Sequence, residues 1–233
     1  MARRKNKKKE EETLVDLVEA KESLQDYFER NQLLVLGIIA AVIIVIGGIF
    51  AYMNLYKAPR NQNAMQQMYQ AQFQFEQDSF AKALENPGGG YDGFLDIIDN
   101  YSGTKAANTA KYYAGVSYLR LGRIEAAISF LKDFSASGDV LPISKNGALG
   151  DAYSELEDFD KAISHYKKAI DIRENEFLTP YYMDKLAKLY EHQGKFDEAQ
   201  KYFKIIKEKY PNSSVGRDVD KFLKRAELRK GSE

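Results

Sequence analysis

The chain has 233 residues and balances 34 Lys and Arg against 34 Asp and Glu, so it carries no global field to attract nucleic acid. It contains no cysteine, which excludes a disulfide, a thiolate nucleophile and a cysteine-ligated metal. The length allows one or two domains.

The first segment, residues 1–32, is a basic head. Arg3 to Lys9 form a polybasic run suited to anionic headgroups. Residues 13–30 then place Leu14, Leu17, Val18, Leu24 and Phe28 at helical spacing, with Thr13 as N-cap. Two readings of this amphipathic helix stay open. It lies on the membrane surface or on a membrane partner, or it passively extends the helix that follows.

From Asn31 to Tyr56 there is no charged side chain. About 20 apolar residues at about 1.5 Å rise cross a hydrocarbon core of about 30 Å, so residues 33–56 are expected to form a transmembrane helix. Tyr52 and Tyr56 stand where an interfacial aromatic belt would. A cleaved signal peptide has a shorter apolar core and a small-residue cleavage site, so a retained anchor is the expectation. Residues 1–32 hold eight Lys and Arg, whereas only Lys57 and Arg60 occur between the span and Lys82. The positive-inside rule then puts the N-terminus in the cytoplasm and the rest outside it, in the periplasm if the membrane is the bacterial inner membrane.

Residues 57–104 are expected to hold one long helix, over 62–84, and a degenerate first repeat. Asn86-Pro87-Gly88-Gly89-Gly90 breaks the helix, and Tyr91 to Tyr101 forms a short one. Residues 105–213 then contain three segments in register. Gly115, Tyr118 and Ala127 in the first match Gly150, Tyr153 and Ala162 in the second, and Ala187, Tyr190 and Ala199 in the third. The steps are 35 and 37 residues. Phe159, Tyr166, Ala169, Phe196 and Phe203 extend the match, Gly122 and Gly194 supply turns, and Pro211 closes the array. The small residue lets two helices approach, the tyrosine three positions on is a knob on the same face, and the second small residue marks their crossing. These residues resemble the tetratricopeptide repeat, whose period is about 34. The resemblance implies an α-solenoid, so with the apolar segment the expected fold is all-α, one transmembrane helix followed by a tetratricopeptide-repeat α-solenoid. Residues 214–233 supply a capping helix and tail, with Val219, Phe222, Leu223 and Ala226 turned inward.

Chemistry-bearing patterns are few. His165 and His192 lack metal spacing, and Gly88-Gly89-Gly90 lacks the Lys-Ser/Thr of a phosphate loop. Asp151, Glu155, Glu157, Asp158 and Asp160 lack a calcium-loop spacing. No catalytic, cofactor or metal site is expected, and no enzyme, small-molecule or nucleic-acid function. Residues 76–101 hold six acidic side chains and one basic, and residues 195–230 hold eleven basic and six acidic. This asymmetry is either ordinary exposed-helix charge or a basic flank for an acidic partner or anionic lipid. A protein-binding groove is expected along the first helices of the repeats. It would be lined by Tyr112, Val116 and Leu119, then Gly147, Asp151 and Ser154, then Tyr181, Asp184, Lys188 and Glu191. Tyr112 and Val116 stand where some arrays place a carboxylate-clamping Lys and Asn, which argues against a chaperone-tail clamp.

The pre-span segment Glu19 to Gln32, the uncharged helix behind it and the repeats beyond are similar to the ancillary SecYEG translocon subunit family. The resemblance implies a bacterial inner-membrane protein with one span and a periplasmic repeat domain. Its implied partners are translocon subunits, a membrane-anchored periplasmic prolyl isomerase or chaperone, exported chains and membrane lipid. The alternative is a scaffold subunit of another envelope or secretion assembly.

Overall fold

The computed structural model describes residues 29–230, which contain helices and no strand. The expected head helix lies, up to residue 28, outside the described residues. The chain divides between Pro59 and Arg60 into two units.

In the first unit, α1 (Gln32–Ala51) is followed by a π-helical turn, Tyr52–Lys57. The helix is long and apolar enough to cross a membrane, and none of its residues is buried. A helix with large aliphatics exposed all round is stable in lipid but not in water, because its backbone is satisfied internally while its side chains need an apolar solvent. Tyr52 and Tyr56 stack at 5.5 Å at its end.

The second unit begins within α2 (Ala58–Glu76) and continues through α3 (Phe80–Glu85) and α4 (Phe94–Asn100). The single helix expected over 62–84 is therefore two. Asp78 adopts φ 54° and Ser79 N–H turns back to the Gln74 carbonyl at 2.9 Å, which ends α2. The reversal brings Phe80 edge-on to Phe75, which also meets Phe94 and Tyr113. This aromatic cluster, with Met68, Leu84 and Ile97, is the core of the N-terminal part.

Three helix pairs follow: α5 (Lys105–Arg120) with α6 (Ile124–Asp133), α7 (Leu141–Glu155) with α8 (Phe159–Ile172), and α9 (Leu178–His192) with α10 (Phe196–Lys209). From α4 onward each helix packs on the next, and α7 also meets α5 and α9. A 3₁₀ turn, Gly216–Asp218, leads into α11 (Val219–Lys230), which packs on α10. Val219, Leu223 and Ala226 are buried there, and Phe222 is partly buried.

One design repeats within each pair. The knob tyrosine of the first helix stacks on a ring of the second: Tyr118 on Phe130, Tyr153 on His165, Tyr190 on Tyr202. The same tyrosine carbonyl accepts the N–H that reverses the chain, from Arg123, Asp158 and Lys195 at 2.9 to 3.0 Å. That bond satisfies an orphan carbonyl at the helix end, and it requires a left-handed residue just before the donor. Gly122 and Gly194 meet the requirement at φ 72°, while Glu157 meets it at φ 56° against the steric preference of a side chain. A Cβ on Gly115 would lie 2.7 Å from Leu131 Cγ, and one on Gly150 would lie 2.6 Å from the Tyr166 ring. Ala127, Ala162, Ala187 and Ala199 are fully buried where the paired helices cross.

Candidate protein-binding cleft

The C-terminal halves of α5, α7 and α9 border a cleft of about 840 Å³. Leu119 and Arg120 come from α5, Asp151 and Ser154 from α7, and Lys185 and Lys188 from α9. These helices are neighbours because each is the first of its pair, so residues 35 or 37 apart recur along one wall.

Asp151 is the hub of the cleft. One of its carboxylate oxygens accepts the Tyr166 hydroxyl and the Lys185 ammonium, both at 2.6 Å. Burial, with the Asp151 charge and hydrogen bond beside it, pushes the Tyr166 hydroxyl far above its ordinary value, so it is a donor at all physiological pH. Burial alone would lower Lys185, but the Asp151 carboxylate outweighs it and holds the amine above its usual range. Both side chains are only 28% exposed, which strengthens the attraction, and each partner still contacts solvent. Lys185 also lies 5.1 Å from the Tyr181 ring centre. Arg120 rests over Phe80 at 5.7 Å, whereas Glu155 and Glu157 face solvent at the rim. The arrangement offers a polar, charge-balanced floor with fixed donors and acceptors and a rim of both signs. Such a surface suits a peptide segment, which presents backbone amides and mixed side chains.

Of the residues expected to line a groove, Leu119, Asp151, Ser154 and Lys188 border the cleft. Tyr112 does not. It packs on Phe134, and burial raises its hydroxyl above the ordinary value. Val116 packs against the core between repeats, and Tyr181 lies exposed against Tyr182. Gly147 is buried beneath the Tyr182 ring. Two expectations need correction, because Asp184 and Glu191 are only 5% and 6% exposed. Asp184 accepts Lys188 at 2.7 Å, and Glu191 pairs with Arg225 of α11. The capping helix stands where a fourth repeat would continue the array, so these carboxylates meet α11 rather than solvent. Phe222 of α11 lies under the Lys188 ammonium at 4.8 Å.

Arg120, Phe159, Lys185, Leu189 and His192 border the cleft and were not expected there. On α9 the lining row is Lys185, Lys188, Leu189 and His192, spaced i, i+3, i+4, i+7. Lys188 belongs to the expected row as well, while Lys185, Leu189 and His192 each follow an expected residue (Asp184, Lys188 and Glu191) by one position, or about 100° around the helix. The spacing was readable in the sequence, but the phase was not. Among the described residues no group of three or more His, Asp or Glu is arranged to hold a metal ion.

Comparison with curated protein sequences yields no match. Family models described as "Tetratricopeptide repeat" match residues 109–137 and 181–213, and a second model of that description matches 146–176. Neither supports membership of the translocon-subunit family. The three helix pairs α5/α6, α7/α8 and α9/α10 are tetratricopeptide repeats, which form protein-interaction modules and are generally scaffolds without catalysis.

Proposed function

We propose that this chain is a membrane-anchored, non-enzymatic protein-binding module whose cleft along α5, α7 and α9 receives a peptide segment of its partner. The observation that carries the reading is the open cleft with the Asp151–Lys185–Tyr166 network on its floor, set within in-register repeats. The uncharged α1 supports a single-pass anchor, and the lysine and arginine bias of residues 1–32 supports a cytoplasmic N-terminus with the repeats on the other side. The layout supports a place beside the Sec translocon, with a periplasmic prolyl isomerase or chaperone and exported chains as partners.

The test is affinity purification of the tagged full-length protein in mild detergent, followed by mass spectrometry. Translocon subunits and a periplasmic isomerase are expected, and both should be depleted from an Asp151→Lys variant that retains the wild-type melting temperature. A different stable set of envelope proteins would replace the translocon reading with a scaffold in another assembly. Retention of every partner by Asp151→Lys would remove the cleft from the proposal. Protease added to spheroplasts should digest the repeats, and their protection would invert the topology.

A further inference from the structure

The N-terminal face of the second unit leaves an apolar row uncovered. Met65, Tyr69 and Phe73 of α2 recur every four residues on a face turned away from buried Ala64, Met68 and Ala71, and Tyr69 is 65% exposed. Met65 and Tyr69 border a shallow depression of about 730 Å³ together with Tyr91. Tyr91 opens the segment leading into α4, whose far end accepts a hydrogen bond from Arg60 through the Asn100 carbonyl. The α4 segment therefore runs beside the apolar row. Phe94 and Ile97 bury its inner side, Asp96 and Asp99 lie on its exposed side, and Asp92 stands two residues before the helix. None of these three carboxylates has an ion-pair partner among the described residues, and Lys82 is the single basic residue between 76 and 101.

At the other end, α11 has a similar uncovered row of opposite charge. Its inner side is engaged through Val219, Leu223 and Ala226, and through the Arg225 pair with Glu191. Lys221, Lys224 and Leu228 recur outward at i, i+3, i+7, and exposed Arg217 lies in the 3₁₀ turn before them. The three cations have no ion-pair partner among the described residues, and Leu228 is 68% exposed. Three carboxylates at one end and three cations at the other thus lack ion-pair partners among the described residues, each set beside exposed apolar side chains.

We propose that the α2/α4 face binds the outer face of α11 from a second copy, so that copies associate head to tail. Asp92, Asp96 and Asp99 meet Lys224, Lys221 and Arg217, and Leu228 settles against Met65, Tyr69 and Tyr91. The two surfaces differ, so the interface is heterologous and leaves a free face at each end of a pair, allowing short rows of copies. Its rim charges steer the encounter and make it sensitive to salt, since the screening length falls from about 10 Å at 0.1 M to about 3 Å at 1 M. The proposal is independent of the cleft, whose residues it does not use.

The test uses full-length protein in detergent micelles. Because the chain contains no cysteine, Asp96→Cys and Lys221→Cys each introduce a single thiol. Mixing differently tagged copies of the two variants should give a disulfide-linked pair joining one tag to the other at low salt, well above the yield from either variant alone. Native mass spectrometry should show self-association weakened about tenfold or more by Asp96→Lys with Asp99→Lys, and equally by Lys221→Glu with Lys224→Glu. Mixing the two charge-reversed proteins should restore pairing between them. A cross-link yield no higher than that of the single variants, or failure of the reversed pair to recover, would overturn the proposal. So would loss of binding to phosphatidylglycerol vesicles by Lys221→Glu with Lys224→Glu while self-association stays unchanged, since the cationic row would then serve lipid. Unfolding followed by circular dichroism checks that each variant keeps its fold.

Discussion

The phenol ring of Tyr182 on α9 fills the space in which a side chain at Gly147 on α7 would stand. A Cβ at position 147 would overlap ring carbons and the hydroxyl of a tyrosine that is itself buried. Alanine favours a helix over glycine by about 1 kcal/mol, so a net loss requires the overlap to cost more than that. Overpacking a buried contact costs about 1–3 kcal/mol, and here the obstacle is a ring held by the neighbouring repeat. Gly147→Ala should therefore lower the denaturant midpoint without changing the slope, and Gly147→Ala with Tyr182→Leu should recover part of the loss. An unchanged midpoint would show that α7 and α9 pack with more freedom than the structure indicates.

The turn at Glu157 is expected to be a place where the protein is less stable than it could be. Gly122 and Gly194 hold the corresponding left-handed position at φ 72°, and Glu157 holds it at φ 56°. A side chain there costs about 1–2 kcal/mol, and glycine gives back part of that through a freer unfolded chain. Glu157→Gly should therefore stabilise the protein by about 0.5–1 kcal/mol, raising its melting temperature. A decrease would mean that the Glu157 side chain makes a stabilising contact.

Arg225 secures the capping helix through Glu191, whose side chain is nearly inaccessible. Removing the arginine leaves a buried carboxylate without its cation, and the guanidinium also lies over Phe222 at 5.2 Å. Arg225 is partly exposed and water can reach the vacated site, so the expected cost of Arg225→Met is about 1–3 kcal/mol rather than the full cost of a buried ion. Glu191→Gln in the same background should recover part of it. Equal destabilisation by the double variant would show that the pair contributes through packing instead of charge.

His165 makes stability depend on pH. Burial, then the neighbouring charges of Lys168, Lys132 and Lys145, lowers its folded pKa below the ordinary value of 6.5. The unfolded chain therefore binds a proton more readily, and stability rises with pH across the interval between the two values. The contribution is complete above about pH 6.5 and is lost as pH falls through the lower, folded value. The stacked Tyr153 ring and the Asn146 side chain at 3.1 Å hold the neutral imidazole in place. His165→Phe, which places in the second repeat the ring found at Phe130 in the first, should flatten the acid limb of the stability profile. An acid limb identical to wild type would assign the dependence to other groups.

Much of the architecture was readable because its signals are local or periodic. The run without charge from Asn31 to Tyr56 depends only on composition, and Gly115, Gly150 and Ala187 declare a close approach by their size. The tyrosine three residues later follows from helical geometry. The stacking role of His165 was also present in the spacing, since it lies in register with Phe130 and Tyr202. Residue type does not declare it, because histidine differs from phenylalanine and tyrosine in type while sharing a flat ring.

By itself, the sequence determined the apolar segment, the three repeats and the helix faces that pair within each repeat. Those features follow from hydrophobic burial at fixed helical spacing and need no knowledge of more distant neighbours. Tertiary structure alone decided the phase of the cleft, the break of the first long helix at Asp78 and the burial of Asp184 and Glu191. Each depends on what docks from elsewhere in the chain. A carboxylate that would face water beside an open groove becomes a buried ion-pair partner once α11, carrying Arg225, covers the end of the array.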